Sequence, residues 1–243
     1  MNTVRLVDVW VYLSASPLLH LTMTVGAYVF SDWVYRKSGN RSLLHPVLIA
    51  VIVLVAILSA TGTDYASYFD GAQFVHFFLG PATVALAVPL YSNFARLREM
   101  WLPLSVGLLA GALTAALSAV FLAWLFDAAP QTLLALAPKS VTAPVAMGIT
   151  EKLGGPASLT AILVVSTGIL GAVIGPTVLD WCRVNDPAVR GFAMGTTSHG
   201  IGTARAFQES EVAGAFSGLA MGLNTLLSSL LIPPLLGALG LVP

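Results

Sequence analysis

Long apolar runs separated by short polar interruptions dominate the chain, and run length is the first property to interpret. A helix that crosses a bilayer needs roughly 20 mostly apolar residues. Runs of that kind occupy about 7–30, 43–60, 74–92, 101–126, 157–179 and 213–240, which predicts six spanning helices. Two further stretches, 130–150 and 188–209, are apolar in part but interrupted by Gly, Pro and polar residues. They read as broken or re-entrant segments. Every connection is short, so residues 1–243 are expected to form a single integral membrane domain, an all-α polytopic helical bundle. Within it, an opening helix covers about 7–30 and the core about 43–240. The opening run is too long for a signal-peptide core, and its basic cluster follows rather than precedes it, so it reads as a retained span.

Composition agrees with the pattern. Of 243 residues, 57% are hydrophobic and 9% charged, with a mean hydropathy of +0.87. Soluble domains carry about 25% charged residues. A surface this poor in charge belongs against lipid. The formal net charge is zero, which argues against a nucleic-acid partner. Cys182 is the only cysteine, so no intrachain disulfide forms. His20, His45, His76 and His199 are scattered without metal-ligand spacing, and neither a metal nor a cofactor is expected.

Basic residues orient the spans. Arg36, Lys37 and Arg41 follow the first run, and Arg96 and Arg98 precede Trp101, whereas the intervening loop holds Asp64 and Asp70. This places the two basic loops in the cytoplasm and the N-terminus outside. The loop with Arg183 and Arg190 obeys the same rule only if 130–150 dips into the membrane and returns, which favours the re-entrant reading.

Three apolar stretches are interrupted in the same manner. Gly80-Pro81 stands within Leu79–Ala85, and Pro138-Lys139-Ser140-Val141-Thr142-Ala143-Pro144 within the second stretch. Proline is favoured at the first position of a helix, so Pro81 and Pro138 read as starts of half-helices. The third stretch runs Gly195-Thr196-Thr197-Ser198-His199-Gly200-Ile201-Gly202-Thr203-Ala204-Arg205, where Gly200 and Gly202 suggest unwound backbone. Irregular backbone at membrane depth is tolerated only inside protein or beside a water-filled cavity. Broken helices also point half-helix N-termini at anionic solutes. Candidate ligands for an anion are therefore the hydroxyls of Thr83, Ser140, Thr142, Ser198 and Thr203, with Lys139 and Arg205 as cations. His199, Glu151 and Glu209 are candidates for proton coupling. A shared Pro-x-(Thr/Ser)-Val pattern in the first two breaks suggests an internal, inverted repeat.

Each residue also has a plainer reading. Gly80-Pro81 is a kink, Lys139 snorkels to the headgroups, and His199 bonds a backbone carbonyl in the core. Arg205 and Glu209 pair along one helix, while Glu151 and Lys152 cap a solvated turn before Gly154-Gly155-Pro156. Enzymatic readings have less support. Ser198 and His199 are adjacent, so regular structure would point them apart, and neither G-x-S-x-G nor a Walker sequence is present.

The same blocks carry a family resemblance. LGPATVALAVPLY at 79–91, LAPKSVTAPVAMGITEKLGG at 136–155 and TTSHGIGTARAFQESEVAGAFSGLAMGLN within 191–236 resemble the LrgB/CidB family in the right order, over nearly the whole chain. Thr225 after Asn224, and His45, depart from its usual pattern. The resemblance implies a bacterial inner-membrane protein without enzymatic activity. It implies either a transporter of small 2-hydroxy or 2-oxo monocarboxylates (glycolate and glycerate, as in plastid relatives, or pyruvate, as in some bacterial members), or an antiholin-like or holin-like protein linked to murein hydrolase control and lysis. It further implies a separate small LrgA/CidA-type membrane partner. For a homo-oligomeric pore, a small-residue face at Gly107, Gly111 and Ala115 supplies a self-assembly surface.

Overall fold

The computed structural model describes residues 17–39, 44–78, 81, 84–85 and 87–241, and every regular element among them is a helix. The chain divides into two compact units, Met1–Ala85 and Leu86–Pro243.

In the first unit, α1 (Pro17–Lys37) packs on α2 (Pro46–Thr61) and α3 (Tyr65–Ala72), followed by the short α4 (Phe74–Phe77). Contact with α3 is close because Gly71 has no side chain: a Cβ there would lie 2.1 Å from the Pro17 carbonyl oxygen. Of the predicted opening run at 7–30, residues 17–30 are helical. Residues before 17 lie outside the described residues, and the helix continues to Lys37. Its polar last turns stay helical because Arg36 bonds Asp32 at 2.8 Å and the Lys37 ammonium sits 4.8 Å over the Trp33 ring. The predicted span at 74–92 is not a continuous helix among the described residues. α4 ends at Phe77, and α5 (Ala87–Ser92) begins the second unit. Proline at 81 lacks the N–H that would continue a helix and disfavours helical backbone before it. Gly80 and Thr83, and with them most of the first block of the suggested repeat, lie outside the described residues.

The second unit continues with α6 (Phe94–Glu99), α7 (Trp101–Leu125), α8 (Pro130–Leu136), α9 (Ala143–Lys152), α10 (Ala157–Trp181), α11 (Pro187–Glu209) and α12 (Glu211–Ala238). α7, α10 and α12 are long and apolar enough to cross a membrane, with 25, 25 and 28 residues. Only 17%, 22% and 28% of their most apolar windows is buried within the protein. Such large exposed apolar surfaces need lipid, so the protein is integral to a membrane. These helices match the predicted runs at 101–126, 157–179 and 213–240 within two residues at each end. α2, with 16 residues, is apolar but shorter.

Two buried clusters mark the two ends of the second unit. Leu104, Leu108, Ala188, Phe192, Phe216 and Ala220 pack the early turns of α7, α11 and α12 together. Val120, Leu133, Leu134, Ala146, Ile149, Ile232 and Leu236 pack α8 and α9 against the late turns of α7 and α12.

Candidate functional site

Both interrupted stretches penetrate the second unit without crossing it. α8 and α9 have 7 and 10 residues, about 10 and 15 Å of helix, far less than a hydrocarbon core of about 30 Å. Residues 137–142 form the turn between them, held by Lys139 N–H to Leu136 O at 3.1 Å and Val141 N–H to Pro138 O at 2.9 Å. Beyond α9 the chain returns to α8, since a Cβ at Gly155 would lie 3.1 Å from that of Leu134. The Thr160 hydroxyl donates to that of Thr150 at 2.9 Å, fastening α9 to α10. Pro138 is therefore not a helix start. It is buried in the turn after α8, and Pro144 takes the early position in α9. Cluster packing explains the difference, because Ala137 and Val141 on either side of Pro138 are both core residues.

The second stretch turns more sharply. α11 carries one non-helical residue, His199, at φ 42° and ψ −132°. The chain folds back there: Arg190 bonds Glu209 at 3.0 Å, although 19 positions of straight helix would separate them by about 28 Å. Inside this hairpin a Cβ at Gly202 would lie 2.6 Å from the Met194 carbonyl oxygen, so only glycine fits between the limbs. The backbone is thus not unwound over Gly200 and Gly202, which are helical. One residue makes the turn, and it is not a glycine. A non-glycine residue in that region costs on the order of 1–3 kcal/mol and persists only where neighbours hold it.

The neighbours are on α10. His199 Nε2 lies 2.9 Å from the Val164 carbonyl oxygen, the carbonyl-bonded core histidine of the plainer reading. Gly168 and Gly171 make room for the turn: a Cβ on the first would lie 2.6 Å from His199 Cε1, and on the second 1.7 Å from Ser198 Oγ. Ser198 and His199 therefore both lie against α10, not on opposite sides as regular structure would require.

The two stretches enter from opposite ends. Arg96 of α6 forms an ion pair with Asp186, which also caps α11 through Ala188 N–H at 2.8 Å. Burial opposes ionisation of Asp186, yet the Val189 and Ala188 N–H groups and Arg96 hold its carboxyl below the usual carboxylate range. At this same end Arg190 joins Asp180, the Val184 carbonyl and Glu209. α8 and α9 follow α7 and so enter from the other end. The stretches meet at Asn224, in the middle of the 28-residue α12, whose Nδ2 donates to Ser140 O at 3.0 Å and Thr196 O at 3.1 Å. Ser228 donates to Asn224 Oδ1 at 3.3 Å.

This meeting region holds Lys139, Ser140, Thr196, Ser198 and His199. Lys139 is half-buried, its Nζ donates to Ser140 Oγ at 3.2 Å, and no carboxylate among the described residues pairs with it. Thr142 precedes α9 and its side chain makes no capping bond; Pro144 has no N–H and Ala146 N–H bonds Thr142 O at 2.9 Å, so the first-turn N–H groups without a helical acceptor are those of Ala143 and Val145. Other candidates lie elsewhere or are engaged. Thr203 donates to His199 O at 2.8 Å and meets Ser217 Oγ at 3.0 Å. Arg205 is on the returning limb and bonds Gln208 at 3.2 Å, while Glu209 pairs with Arg190 instead of with it. Glu151 and Lys152 are exposed at the end of α9, before the left-handed Gly154 at φ +77°. Pro81 is exposed in the first unit. Among the described residues, no group of three His, Cys, Asp or Glu converges to hold a metal.

Sequence reasoning missed Asn224 as a site residue and Gly168 and Gly171 as its floor. The usable signal was a lone amide, followed by Ser228, inside an apolar run long enough to span.

The sequence model of the LrgB-like family matches residues 24–238. A Bacillus subtilis protein named YwbG, given as uncharacterized, is 34% identical over 219 residues, covering 90% of this chain and 97% of its own length. Holin-like protein CidB of Staphylococcus epidermidis is 31% identical over 225 residues, covering 93% and 97%. Holin-like protein CidB of Staphylococcus aureus is 30% identical over 219 residues, covering 90% and 95%. No solved structure matches the chain.

Proposed function

The chain belongs to the LrgB-like family, and from that premise we propose that it carries small organic anions across the membrane through the region where its two broken stretches meet. The observation that carries this reading is Lys139, a half-buried ammonium with no carboxylate partner among the described residues, beside Ser140 and the first turn of α9. A buried charge is costly unless paired. A carboxylate solute supplies the missing partner, and the helix dipole adds up to about 2 kcal/mol. Monocarboxylates with a 2-hydroxyl or 2-oxo group, of the glycolate, glycerate and pyruvate class, suit a cation flanked by hydroxyls. Transport then proceeds by rocking of the two broken stretches, as a pair, against the remaining spans. The test is uptake of labelled glycolate, glycerate and pyruvate into proteoliposomes, with and without a proton gradient. Saturable uptake with mutual competition is expected.

A second reading is favoured by the names of the staphylococcal relatives, which are holin-like. In it the chain assembles with itself or with a smaller membrane protein into a lytic or lysis-regulating pore. A Cβ at Gly107 would meet nothing within 4 Å, which leaves that position open to a partner, whereas a Cβ at Gly111 would lie 3.1 Å from Thr196 Cγ2. Leakage of unrelated neutral dyes in proportion to their size, without saturation, would select this reading.

A further inference from the structure

The proposed anion site is assembled from two segments that enter from opposite ends of the second unit, so something must set their spacing. Hydroxyls and charges on the turns cannot do so alone, because side chains rotate while backbones slide. The contact that joins backbone to backbone is the amide of Asn224. Its nitrogen has two donors, and they go to the carbonyls of Ser140 and Thr196. Both partners accept only, so the nitrogen, not the oxygen, must face them. Ser228, one turn further along α12, holds the oxygen.

Position gives this amide its leverage. Ser140 is the residue whose hydroxyl receives the Lys139 ammonium, and Thr196 lies three residues before the His199 turn. Asn224 is 1% exposed, so its bonds operate without competition from water. We propose that Asn224 is a positioning residue that locks the Lys139–Ser140 turn to the His199 hairpin, so that the two halves of the anion site hold one geometry. The proposal rests on the transport reading for its kinetic consequence, but the coupling of the two turns is measurable without transport.

Asn224→Asp keeps the shape and breaks at least one of the two bonds, because a neutral buried carboxyl retains a single O–H donor and an ionised one retains none. Ser228→Ala is a milder variant that leaves both carbonyl bonds in place and frees the amide to tilt. The experiment is hydrogen–deuterium exchange of the full chain in nanodiscs, paired with KM and Vmax for labelled glycolate in proteoliposomes. Asn224→Asp should speed exchange at 137–142 and 195–203 together, about tenfold or more, with α7 unchanged. KM should rise about tenfold while Vmax stays within about twofold. Ser228→Ala should shift the same two peptides, by less. If the wild-type protein moves no glycolate saturably, the transport reading fails, and the exchange pattern alone decides whether Asn224 couples the turns. Faster exchange at one turn only, or uniformly along the chain, would reduce Asn224 to a packing residue and overturn the proposal. So would an unchanged KM in a variant that transports. Should Asn224→Asp not fold, an exchange pattern in Ser228→Ala identical to wild type would overturn it equally.

Discussion

Lys139 and Lys152 are separated by one short helix, yet their surroundings differ enough to make them a matched pair for mutation. Lys139 is half-buried beside Ser140, while Lys152 is exposed at the end of α9. Losing a hydrogen bond to a charged group costs roughly 1.5–3 kcal/mol, so Lys139→Ala should weaken apparent affinity about tenfold or more. Lys139→Arg should also be impaired, because a planar guanidinium does not replace a compact ammonium. Lys152→Ala should transport nearly normally. Uptake kinetics normalised to the amount of protein in the membrane make the comparison. Equal behaviour of the two alanine variants would make Lys139 a snorkelling anchor. Residue identity alone makes Lys139, Ser140, Ser198 and His199 legible in the sequence, because polar groups inside apolar runs are conspicuous. Asn224 escapes such a reading because its meaning depends on two carbonyls 84 and 28 positions away.

Close backbone approach governs the elements. α11 lies on α12 through Gly191 and Gly195, where a Cβ would sit 2.0 Å from Ala213 O and 2.1 Å from Ser217 O. The obstructing atoms are backbone, so neither can swing aside. Gly191→Ala should force the helices apart and cost about 1–3 kcal/mol, the range for overpacking a tight interface. Gly107→Ala, with nothing within 4 Å, should not lower stability and should gain up to about 1 kcal/mol from helix propensity. Thermal unfolding in detergent compares them, and equal midpoints would show that α11 and α12 separate readily. The lengths of α7, α10 and α12 are readable from apolar runs, since a span must match the bilayer. The fold-back of α11 is only half readable. Glycines mark the stretch as irregular, but the reversal falls on His199, whose strained backbone is held by α10 and whose limbs are tied by an ion pair 19 positions long. Tertiary contacts of that kind leave no local periodicity to find. Pro138 departs from its predicted role for the same reason: core packing on both flanks buries it in a turn.

Membrane sidedness is the property of the whole molecule that the ion pairs bear on most directly. The positive-inside rule assigns the Arg36–Arg41 and Arg96–Arg98 loops to the cytoplasm, but leaves Arg183 and Arg190 undecided. The Arg96–Asp186 pair removes that ambiguity for the second unit, because it ties α6 and the α10–α11 connection to one end. With α11 beginning and ending there, and α8 and α9 dipping in from the other end, both connections fall on the side of the basic residues. Cys182, the single and exposed cysteine, then reports on it without mutation. In intact cells it should resist an impermeant thiol reagent and react after permeabilisation. In a Cys182→Ser background, Ser38→Cys should likewise be protected, whereas Ser67→Cys and Lys152→Cys should label from outside. Labelling of Cys182 and protection of Lys152→Cys in intact cells would invert the second unit. Labelling of both would mean that α10 does not cross, and the two stretches could not then meet from opposite sides of the bilayer.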